Sequence, residues 1–495
     1  RHSKTRNNHM RTIDTPSTQA RKLNAIASGA LPNGDPVVVN SDGTVSVIGG
    51  SSASQTLGSA VDFETGVTEL TQIAYDAAND KVVITFQEGG RGQAIVGTVS
   101  GTSISFGTPV IWDSGTQTQT VAPISYDTAS EKLLIAYRNP NDSGRGYARV
   151  GTVSGTSISF GTAAEFESSG IYPNTSVYDS GSGKVIITYR KATDSYRGYA
   201  VTATISGTSV SFGTPVKFSS GNSGIYTSMA YDATSNKTVI VWTDSDHTTQ
   251  LRYRVATVSG TSITYGTVGN VHTFSATPPH PTVTFDDVNN KFIAAFRDMD
   301  NSNYGSVCLG TISGTDMVWD ATPTVFNSGN SEYMKMTFDS NAGKVVIFFR
   351  DGSDGDASKL AVGEVSGSTI SFGSLVEVGT RAFETSLTFD STSNVVVIAY
   401  RDLDDGNDGT SNVFQNAYTS TNLTAENYIG LSSNGYPDTA GATIDVQGAI
   451  NDRQSGLTAG QAYYVQTDGT LSTTAGDPSV FAGTAVAANK LIVKG

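Results

Sequence analysis

The sequence predicts an all-β protein built from repeated units. Three observations carry this prediction: a composition suited to strands and turns, an aromatic–aspartate pair that recurs at spacings of 51 to 54 residues, and a last repeat that lacks its final strand. Charged residues make up 15% of the 495 residues, against a usual share of about 25%, and 53 residues are glycine. Serine, threonine, valine and tyrosine are also frequent, and these residues favour strands and turns over helices.

Seven copies of the aromatic–aspartate pair define seven repeats. The pairs are Tyr75-Asp76, Tyr126-Asp127, Tyr178-Asp179, Tyr231-Asp232, Phe285-Asp286, Phe338-Asp339 and Phe389-Asp390. After each pair come a polar turn, a buried β-branched strand, a variable loop, a third strand, a tight Ser-Gly-Thr turn and a fourth strand. Four strands in about 50 residues is the pattern of a propeller blade, so the sequence predicts a seven-bladed β-propeller.

The seventh repeat ends without a fourth strand. A matching segment precedes the first repeat instead: residues 57 to 63, Leu-Gly-Ser-Ala-Val-Asp-Phe, correspond to residues 106 to 112, Phe-Gly-Thr-Pro-Val-Ile-Trp. We expect this N-terminal strand to complete the seventh blade and to close the ring, because closure removes the exposed strand edges of an open array.

The two flanks of the repeats share a second pattern. Asp42-Gly43 and Asp468-Gly469 lie in similar surroundings, and Asp-Gly is a favoured centre of a tight hairpin. We expect residues 23 to 50, an N-terminal hairpin, and residues 422 to 495 to form one small β domain, with the propeller over residues 51 to 421 inserted between them. Residues 1 to 22 are basic and polar, lack the apolar run of a secretory signal, and predict a flexible tail.

Charge and composition exclude several classes of protein. The net charge of −14 argues against a nucleic-acid partner, because phosphate contacts need a basic surface. No apolar run approaches the length of about 18 residues that a membrane helix requires, so we expect no membrane insertion. The single cysteine, Cys308, excludes an internal disulfide and a cysteine-rich metal site.

The sequence contains no motif for catalysis, metal binding or cofactor binding. His2 and His9 lie in the basic tail, and His247, His272 and His280 lack the spacing of a metal site, so we expect solvent-exposed loop histidines. Neither a Gly-x-Ser-x-Gly motif nor a phosphate-binding glycine loop is present. We therefore expect no catalytic residue, no metal and no cofactor. A glycosidase stays open as an alternative, since two carboxylates that folding brings together leave no sequence pattern.

Acidic residues cluster after the second strand of the seventh repeat. They are Asp402, Asp404, Asp405 and Asp408. Their composition is that of a calcium site, but the spacing and the closing glutamate of an EF-hand loop are missing. We interpret this segment as a solvated acidic turn.

An arginine recurs at the end of the second predicted strand in five repeats. These residues are Arg138, Arg190, Arg297, Arg350 and Arg401, while Gln87 and Thr243 take the position in the other two repeats. We expect a ladder of arginine–carboxylate bridges between blades, because repetition suits a scaffold better than a single site. The alternative is a ring that presents guanidinium groups to acidic glycans.

The loops after these arginines differ in length and sequence, over residues 139 to 146, 191 to 198, 298 to 305, 351 to 358 and 402 to 411. Variation on a constant frame is where binding residues usually lie. Tyr196, Arg197 and Tyr304 combine a stacking surface or a guanidinium group with a loop position, and they are our candidate ligand-binding residues.

The repeats also carry a resemblance. Residues 97 to 110, Gly-Thr-Val-Ser-Gly-Thr-Ser-Ile-Ser-Phe-Gly-Thr-Pro-Val, resemble repeats in virion appendage proteins of marine bacteriophages, of the tail-fibre type. C-terminal segments between residues 455 and 495 resemble the same proteins, and the similarity covers most of residues 28 to 495. The resemblance implies a virion protein used for structure or host attachment, and it brings no catalytic residue with it.

We therefore expect a non-enzymatic phage structural protein of the virion that adheres to a host-surface glycan through its propeller loops. Its expected partners are other virion proteins, the glycan, and further copies of itself in a homo-oligomer. Two alternatives stay open: a glycan-degrading enzyme of the virion, and a secreted, extracellular bacterial adhesin of lectin type. The lack of a signal-like segment favours the virion.

Overall fold

The computed structural model describes residues 21 to 113, 121 to 244, 249 to 275, 281 to 476 and 478 to 494. These residues form an all-β protein whose helical segments are two three-residue 3-10 turns, Pro140–Asp142 and Ala192–Asp194. In these ranges we find no helix with the length and apolar character needed to cross a membrane. The chain divides into a large unit, Ala53–Ala417, and a small unit formed by Arg1–Ser52 and Tyr418–Gly495.

The large unit consists of seven repeats of antiparallel strands. The first strands are Thr68–Asp76, Ile124–Asp127, Ile171–Asp179, the later part of Val216–Asp232, Thr282–Asp286, the later part of Thr324–Asp339, and Ala382–Asp390. The second strands are Lys81–Glu88, Lys132–Asn139, Lys184–Lys191, Lys237–Asp244, Lys291–Asp298, Lys344–Asp351 and Val395–Asp402. The third strands are Arg91–Ser100, Arg145–Ser154, Arg197–Ser206, Gln250–Ser259, Tyr304–Ser313, Ala357–Ser366 and Asp408–Gln415.

The fourth strand is split into two segments, which the sequence did not indicate. The first segments are Ser103–Phe106, Ser157–Phe160, Ser209–Phe212, Ser262–Tyr265, Asp316–Trp319, Thr369–Phe372 and Thr56–Leu57. The second segments are Val110–Asp113, Ala164–Glu167, the early part of Val216–Asp232, Gly269–Thr273, the early part of Thr324–Asp339, Val376–Glu377 and Val61–Glu64. Both segments pair with the third strand of their repeat.

The seventh repeat takes its fourth strand from the N-terminal side of the first. Thr56–Leu57 and Val61–Glu64 pair with Asp408–Gln415 in the way that Ser103–Phe106 and Val110–Asp113 pair with the third strand of repeat 1. All these pairings are antiparallel, so every third strand in the unit has partners along both edges.

Hydrophobic cores lie between successive repeats. The second strands supply most of the buried side chains, because both of their faces are covered. One core joins Ile84 of repeat 1 to Val397 of repeat 7, and Phe63 packs in it with its ring 5.3 Å from that of Phe86 and 5.7 Å from that of Phe106. The first and last repeats therefore share a core.

The aspartate of each aromatic–aspartate pair is buried and caps the turn between the first and second strands. In repeat 5, the Asp286 carboxylate accepts hydrogen bonds from the backbone N–H groups of Val288 at 3.0 Å and Asn289 at 2.8 Å. Asn290 then takes a left-handed backbone, φ +53°, before the second strand begins. The same caps are formed by Asp76, Asp127, Asp179, Asp232, Asp339 and Asp390. These seven short turns fix which residues of the two strands face each other.

The tyrosine of this pair connects a repeat to the turn of the repeat before it. The Tyr126 hydroxyl of repeat 2 accepts a hydrogen bond of 3.1 Å from the backbone N–H of Ala78 in repeat 1. The Tyr75 hydroxyl of repeat 1 donates a hydrogen bond of 2.6 Å to Thr392 Oγ1, which lies in the turn of repeat 7. Repeat 1 thus contacts the turn of repeat 7 as repeat 2 contacts the turn of repeat 1.

The small unit contains two five-stranded sheets. The strands of this unit are Lys22–Ile26, Pro36–Val39, Val45–Val47, Tyr428–Ser432, Gly441–Asp445, Ile450–Asn451, Ala462–Val465, Leu471–Ser472, Val480–Ala487 and Lys490–Val493, and two further short strands are Gly50–Ala53 and Tyr418–Thr421. One sheet combines strands from both ends of the chain, because Lys22–Ile26 pairs with Gly441–Asp445 and Pro36–Val39 with Tyr428–Ser432. The predicted tail overlaps the first strand by one residue, because that strand begins at Lys22, and residues 1 to 20 lie outside the described residues.

The buried turn caps lead to a first prediction. Replacing Asp286, which has no exposed surface, by alanine leaves the N–H groups of Val288 and Asn289 without their carboxylate acceptor, and we expect a loss of about 1–3 kcal/mol in the free energy of unfolding. Asp320 lies in the same repeat but is exposed, so Asp320→Ala should cost less than about 0.5 kcal/mol. Urea unfolding curves measure both, and equal losses would contradict the capping role.

The strand pairing of repeat 7 leads to a second prediction. A variant that lacks residues 51 to 66 leaves the edge of Asp408–Gln415 unpaired, and we expect it to aggregate and to melt at a lower temperature. Light scattering and thermal melting check this outcome. A monodisperse variant with an unchanged melting temperature would show that the N-terminal segments contribute nothing to the seventh repeat.

Candidate functional site

The first strands of the large unit surround a cavity of about 280 Å³, here called the central cavity. Every repeat contributes to its lining. Lining residues from repeats 1 to 7, one for each repeat, are Leu70, Val121, Tyr172, Tyr226, Pro281, Lys335 and Glu384. These residues precede or begin the first strands. Since the start of a first strand pairs with the end of a second strand, the cavity lies next to the strand-end arginines.

Three of the first strands are irregular where they line the central cavity. Leu70, Tyr333 and Glu384 have left-handed backbones, with φ between +50° and +58°, and each lies in a bulge of its strand. A bulky non-glycine residue in this conformation costs on the order of 1–3 kcal/mol and persists only when the surrounding structure holds it. Bulges of this kind redirect side chains and are frequent next to binding sites.

Two cations and one carboxylate line the central cavity. Lys335 lines the cavity and keeps solvent-exposed surface there, and partial removal from bulk water lowers the pKa of its ammonium group. Burial also lowers the pKa of Arg190. Burial raises the pKa of Glu384, although the backbone N–H of Leu70 donates a 2.7 Å hydrogen bond to its carboxylate and the nearby Arg401 opposes the increase.

Three of the strand-end arginines form ion pairs with carboxylates. Glu332 bridges two repeats, because its carboxylate accepts from Arg297 Nη1 at 2.8 Å and from Arg350 Nη2 at 3.2 Å. Arg401 Nη1 lies 3.7 Å from Glu69 of repeat 1 and 3.8 Å from Glu384 of its own repeat. For these three arginines the expected scaffold of arginine–carboxylate bridges is present.

The other two strand-end arginines contact aromatic rings, as Arg350 and Arg401 also do, but pair with no described carboxylate. The guanidinium carbons of Arg138 and Arg190 each lie 5.2 Å from the centre of the Tyr172 ring. Arg190 also lies 5.6 Å from the ring of Tyr196, whose centre is 5.9 Å from that of Tyr172. Within the described residues neither arginine forms an ion pair, so the interpretation of a carboxylate ladder is wrong for repeats 2 and 3.

The acids that directly follow three of the arginines do not pair with them. Asp298, Asp351 and Asp402 are buried and accept backbone hydrogen bonds from the residue two positions further on, at 2.9 to 3.1 Å. They shape the loops that begin there, a role their position in the sequence did not reveal.

The structure brings two of the three predicted ligand-binding residues together. Tyr196 is 40% exposed, has a left-handed backbone with φ +57°, and directly precedes Arg197 at the start of a third strand. Arg197 Nη1 donates a 2.7 Å hydrogen bond to Asp194, so its guanidinium is already partly engaged. Tyr304 begins the third strand of repeat 5, two repeats away, and is half-buried.

The histidines considered as metal ligands form no cluster within the described residues, whereas two acidic residues of the predicted turn meet a third carboxylate. His272 packs on aromatic rings, with its ring 4.8 Å from that of Phe274, whereas His247 and His280 lie outside the described residues. In the predicted acidic turn, Asp405 and Asp408 approach Asp62, which comes from the borrowed fourth strand, and their carboxylate oxygens lie within 4.8 Å of one another. Asp404 is instead paired with Arg381, at 2.7 Å.

Tyr172, Glu332 and Lys335 are site residues that the sequence reasoning missed. A signal for two of them exists in the repeats: Glu69, Tyr172, Glu332 and Phe383 each lie six residues before the aromatic member of the aromatic–aspartate pair. In the structure these four residues pair across the sheet with Gln87, Arg190, Arg350 and Arg401. An alignment of the repeats on the aromatic–aspartate pair, extended six residues toward the N-terminus, would have identified these residues opposite the ends of the second strands.

Comparisons with known proteins bear on the fold alone. No family model matches the chain, and no curated protein matches it. Among solved structures, the chain is similar to the structure of the Dos1 propeller, with a TM-score of 0.45 and 12% identity, over 73% of this chain and 95% of that one. It is also similar to AofleA from Arthrobotrys oligospora, with a TM-score of 0.39 and 9% identity, over 71% and 97% of the two chains. The chain has the predicted all-β fold of repeated antiparallel sheets.

The bridge at Glu332 leads to a third prediction. Glu332→Gln leaves Arg297 and Arg350 without their carboxylate, and we expect a loss of about 1.5–3 kcal/mol in the free energy of unfolding at neutral pH. Burial raises the pKa of Glu332, but hydrogen bonds from Asn330 and Arg350 and the charge of Arg297 bring it below its ordinary 4.5. Its stabilising effect is therefore complete above pH 4.5 and is lost as the pH falls through the lowered value.

Unfolding curves at several pH values check this prediction. The difference between wild type and Glu332→Gln should shrink on acidification, because the wild-type carboxyl then becomes protonated. Glu364→Gln is the control, since its 65% exposed carboxylate lies 3.8 Å from Lys344 and should contribute less than about 1 kcal/mol. A difference that stays constant with pH would show that the charge of Glu332 is not what stabilises the bridge.

Proposed function

We propose that the large unit is a seven-bladed β-propeller closed by the N-terminal strand, and that the protein is a non-enzymatic appendage of a phage virion that adheres to a host-surface glycan. The fold part of the proposal is supported by the pairing of Thr56–Leu57 and Val61–Glu64 with Asp408–Gln415, and by the hydrogen bond between Tyr75 and Thr392. The virion part is supported by the resemblance of the repeats.

One observation carries the glycan-binding part of the proposal: a group of aromatic rings and guanidinium groups beside the central cavity. Tyr172, Tyr196 and Arg190 contact one another there, and Tyr172 and Arg190 also line the cavity. Aromatic faces stack on the apolar face of a sugar ring, while planar guanidinium groups donate to its oxygen atoms. A concave site with a few such polar groups is the usual form of a small-ligand site.

A glycan-degrading enzyme is the second candidate function, and one observation favours it. Glu69 and Glu384 both lie within 4 Å of Arg401 Nη1, and burial raises the pKa of the Glu384 carboxyl. Two carboxyl groups in different environments are what glycosidases use as acid and base. Release of reducing sugar from host polysaccharide, abolished by Glu384→Gln, would establish the enzyme.

The particle itself tests the location. As a component of the virion, the protein contacts other virion proteins and is present in several copies. A secreted bacterial adhesin of lectin type would bind the same glycan outside the cell. Mass spectrometry of purified phage particles separates the two, since the adhesin would be absent from them.

The predicted loop residues give the fourth prediction. Tyr196→Ala, Arg197→Ala and Tyr304→Ala should each reduce attachment to host cells, because they remove a stacking surface or a donor, while the melting temperature changes little. Arg197→Ala also breaks an exposed ion pair with Asp194, which costs at most about 1 kcal/mol.

Cell-binding assays and melting curves on purified protein check this prediction. Val288→Ala is the control, because Val288 is 58% exposed and lies in a turn at the other end of its sheet. Normal attachment by all three loop variants would place the binding surface elsewhere.

A further inference from the structure

The five strand-end arginines occupy one position of the repeat but differ in their electrostatic surroundings. Arg297, Arg350 and Arg401 are neutralised by glutamates, as described above. Arg138 and Arg190 flank the Tyr172 ring and form no ion pair within the described part of the chain. A guanidinium group is always charged, and a partly buried cation is costly unless an anion or acceptor satisfies it.

The carboxylates nearest in the chain to these two arginines already have other partners. Asp142 lies 3.5 Å from Arg145, and Glu167 lies 3.0 Å from Lys191. Asp194 lies 2.7 Å from Arg197. The segment 114 to 120, which precedes the first strand of repeat 2 and lies outside the described residues, contains no acidic residue. Repeats 2 and 3 therefore offer two cations that the neighbouring acids of the chain do not neutralise.

The planar guanidinium groups of Arg138 and Arg190 suit an anionic ligand. Their Nε atoms are buried without a hydrogen-bond partner among the described residues, as are those of the other three strand-end arginines. What distinguishes Arg138 and Arg190 is that no described carboxylate pairs with their guanidinium groups. The acceptor oxygens of a carboxylate or a sulfate ester match the planar donor edge of a guanidinium group. Tyr172 holds the two cations on one ring, and Tyr196 next to it offers a 40% exposed aromatic surface for stacking.

We propose that Arg138 and Arg190, held on the Tyr172 ring, bind the anionic group of an acidic glycan, a carboxylate or a sulfate ester, while a sugar ring stacks on Tyr196. This inference rests on the proposed glycan-binding function and specifies the ligand class. A ligand in this position reaches the central cavity, because Tyr172 and Arg190 also belong to its lining. Lys335, the other cation of that lining, gives a second positive charge inside the cavity.

Calorimetric titration of the full chain with three tetrasaccharides tests the proposal: an oligogalacturonate, a sulfated oligogalactan and a neutral oligogalactan. The wild type should bind at least one of the two anionic probes about tenfold or more tightly than the neutral one, and added salt should reduce that preference. The probe that is preferred identifies a carboxylate or a sulfate ester as the group recognised. Equal affinity for all three probes would overturn the inference.

Variants locate the binding to the two arginines. Arg138→Gln together with Arg190→Gln should remove the preference, so that the anionic and the neutral probe bind with similar affinity. Arg190→Lys keeps the charge and should lose only part of the preference. Arg350→Gln is the matched control: it has the same repeat position but is paired with Glu332, so it should keep the preference and lower the melting temperature. An unchanged preference in the folded double variant would overturn the assignment. If the double variant does not fold, Arg190→Lys serves as the test instead. An unchanged preference for the anionic probe in that variant would also overturn the assignment.

The outcomes separate this inference from the function on which it rests. Binding of the neutral probe with no preference for anionic ones leaves glycan adhesion standing and removes the acidic-sugar site. Binding of none of the three probes, together with normal attachment of the Tyr196→Ala variant to host cells, removes the proposed function itself.

Discussion

The buried aspartate at the end of each first strand is the constraint on which the large unit depends. Its carboxylate holds the backbone of a short turn, and the turn sets the register between the first and second strands of every repeat. In repeats 1, 2 and 4 the tyrosine beside it forms a hydrogen bond with the turn of the adjacent repeat, so the same two residues connect the sheet to its neighbour there. Repeat 1 makes this contact with repeat 7 through Tyr75 and Thr392.

A fixed register at one end of the sheets determines what lies at the other end. Three of the strand-end arginines, Arg190, Arg350 and Arg401, pair across the sheet with residues six positions before the aromatic member of the pair, and Glu332 and Tyr172 are two of these residues. Beyond these residues, left-handed residues such as Leu70 and Glu384 turn the strands toward the central cavity. The regular turns and cores supply the rigidity that keeps these strained residues in place.

Charge differs around the ring although the backbone repeats. In repeats 5 to 7, glutamates neutralise the arginines and connect neighbouring sheets. In repeats 2 and 3, the ring of Tyr172 lies beside both arginines, and no described carboxylate pairs with them. In the proposed function, one repeated position therefore serves as scaffold on one side of the cavity and as binding surface on the other.

The sequence by itself determined the all-β class, the seven repeats, the strand order within a repeat and the strand that the N-terminal segment adds to repeat 7, because these depend on local periodicity and on recurring turn residues. It also placed the arginines on one face, since equivalent positions of a repeat share a face. Only the tertiary structure decided which arginines meet a carboxylate: Glu332 and Arg297 are in different repeats, and a contact between them depends on how two sheets pack. The tertiary structure alone also decided the central cavity and the surroundings of Lys335, because seven segments far apart in the chain form the cavity lining together. Local sequence patterns predict the backbone conformation of a residue. The pairing of a charged side chain and the walls of a cavity depend instead on residues far apart in the sequence, which only folding brings together.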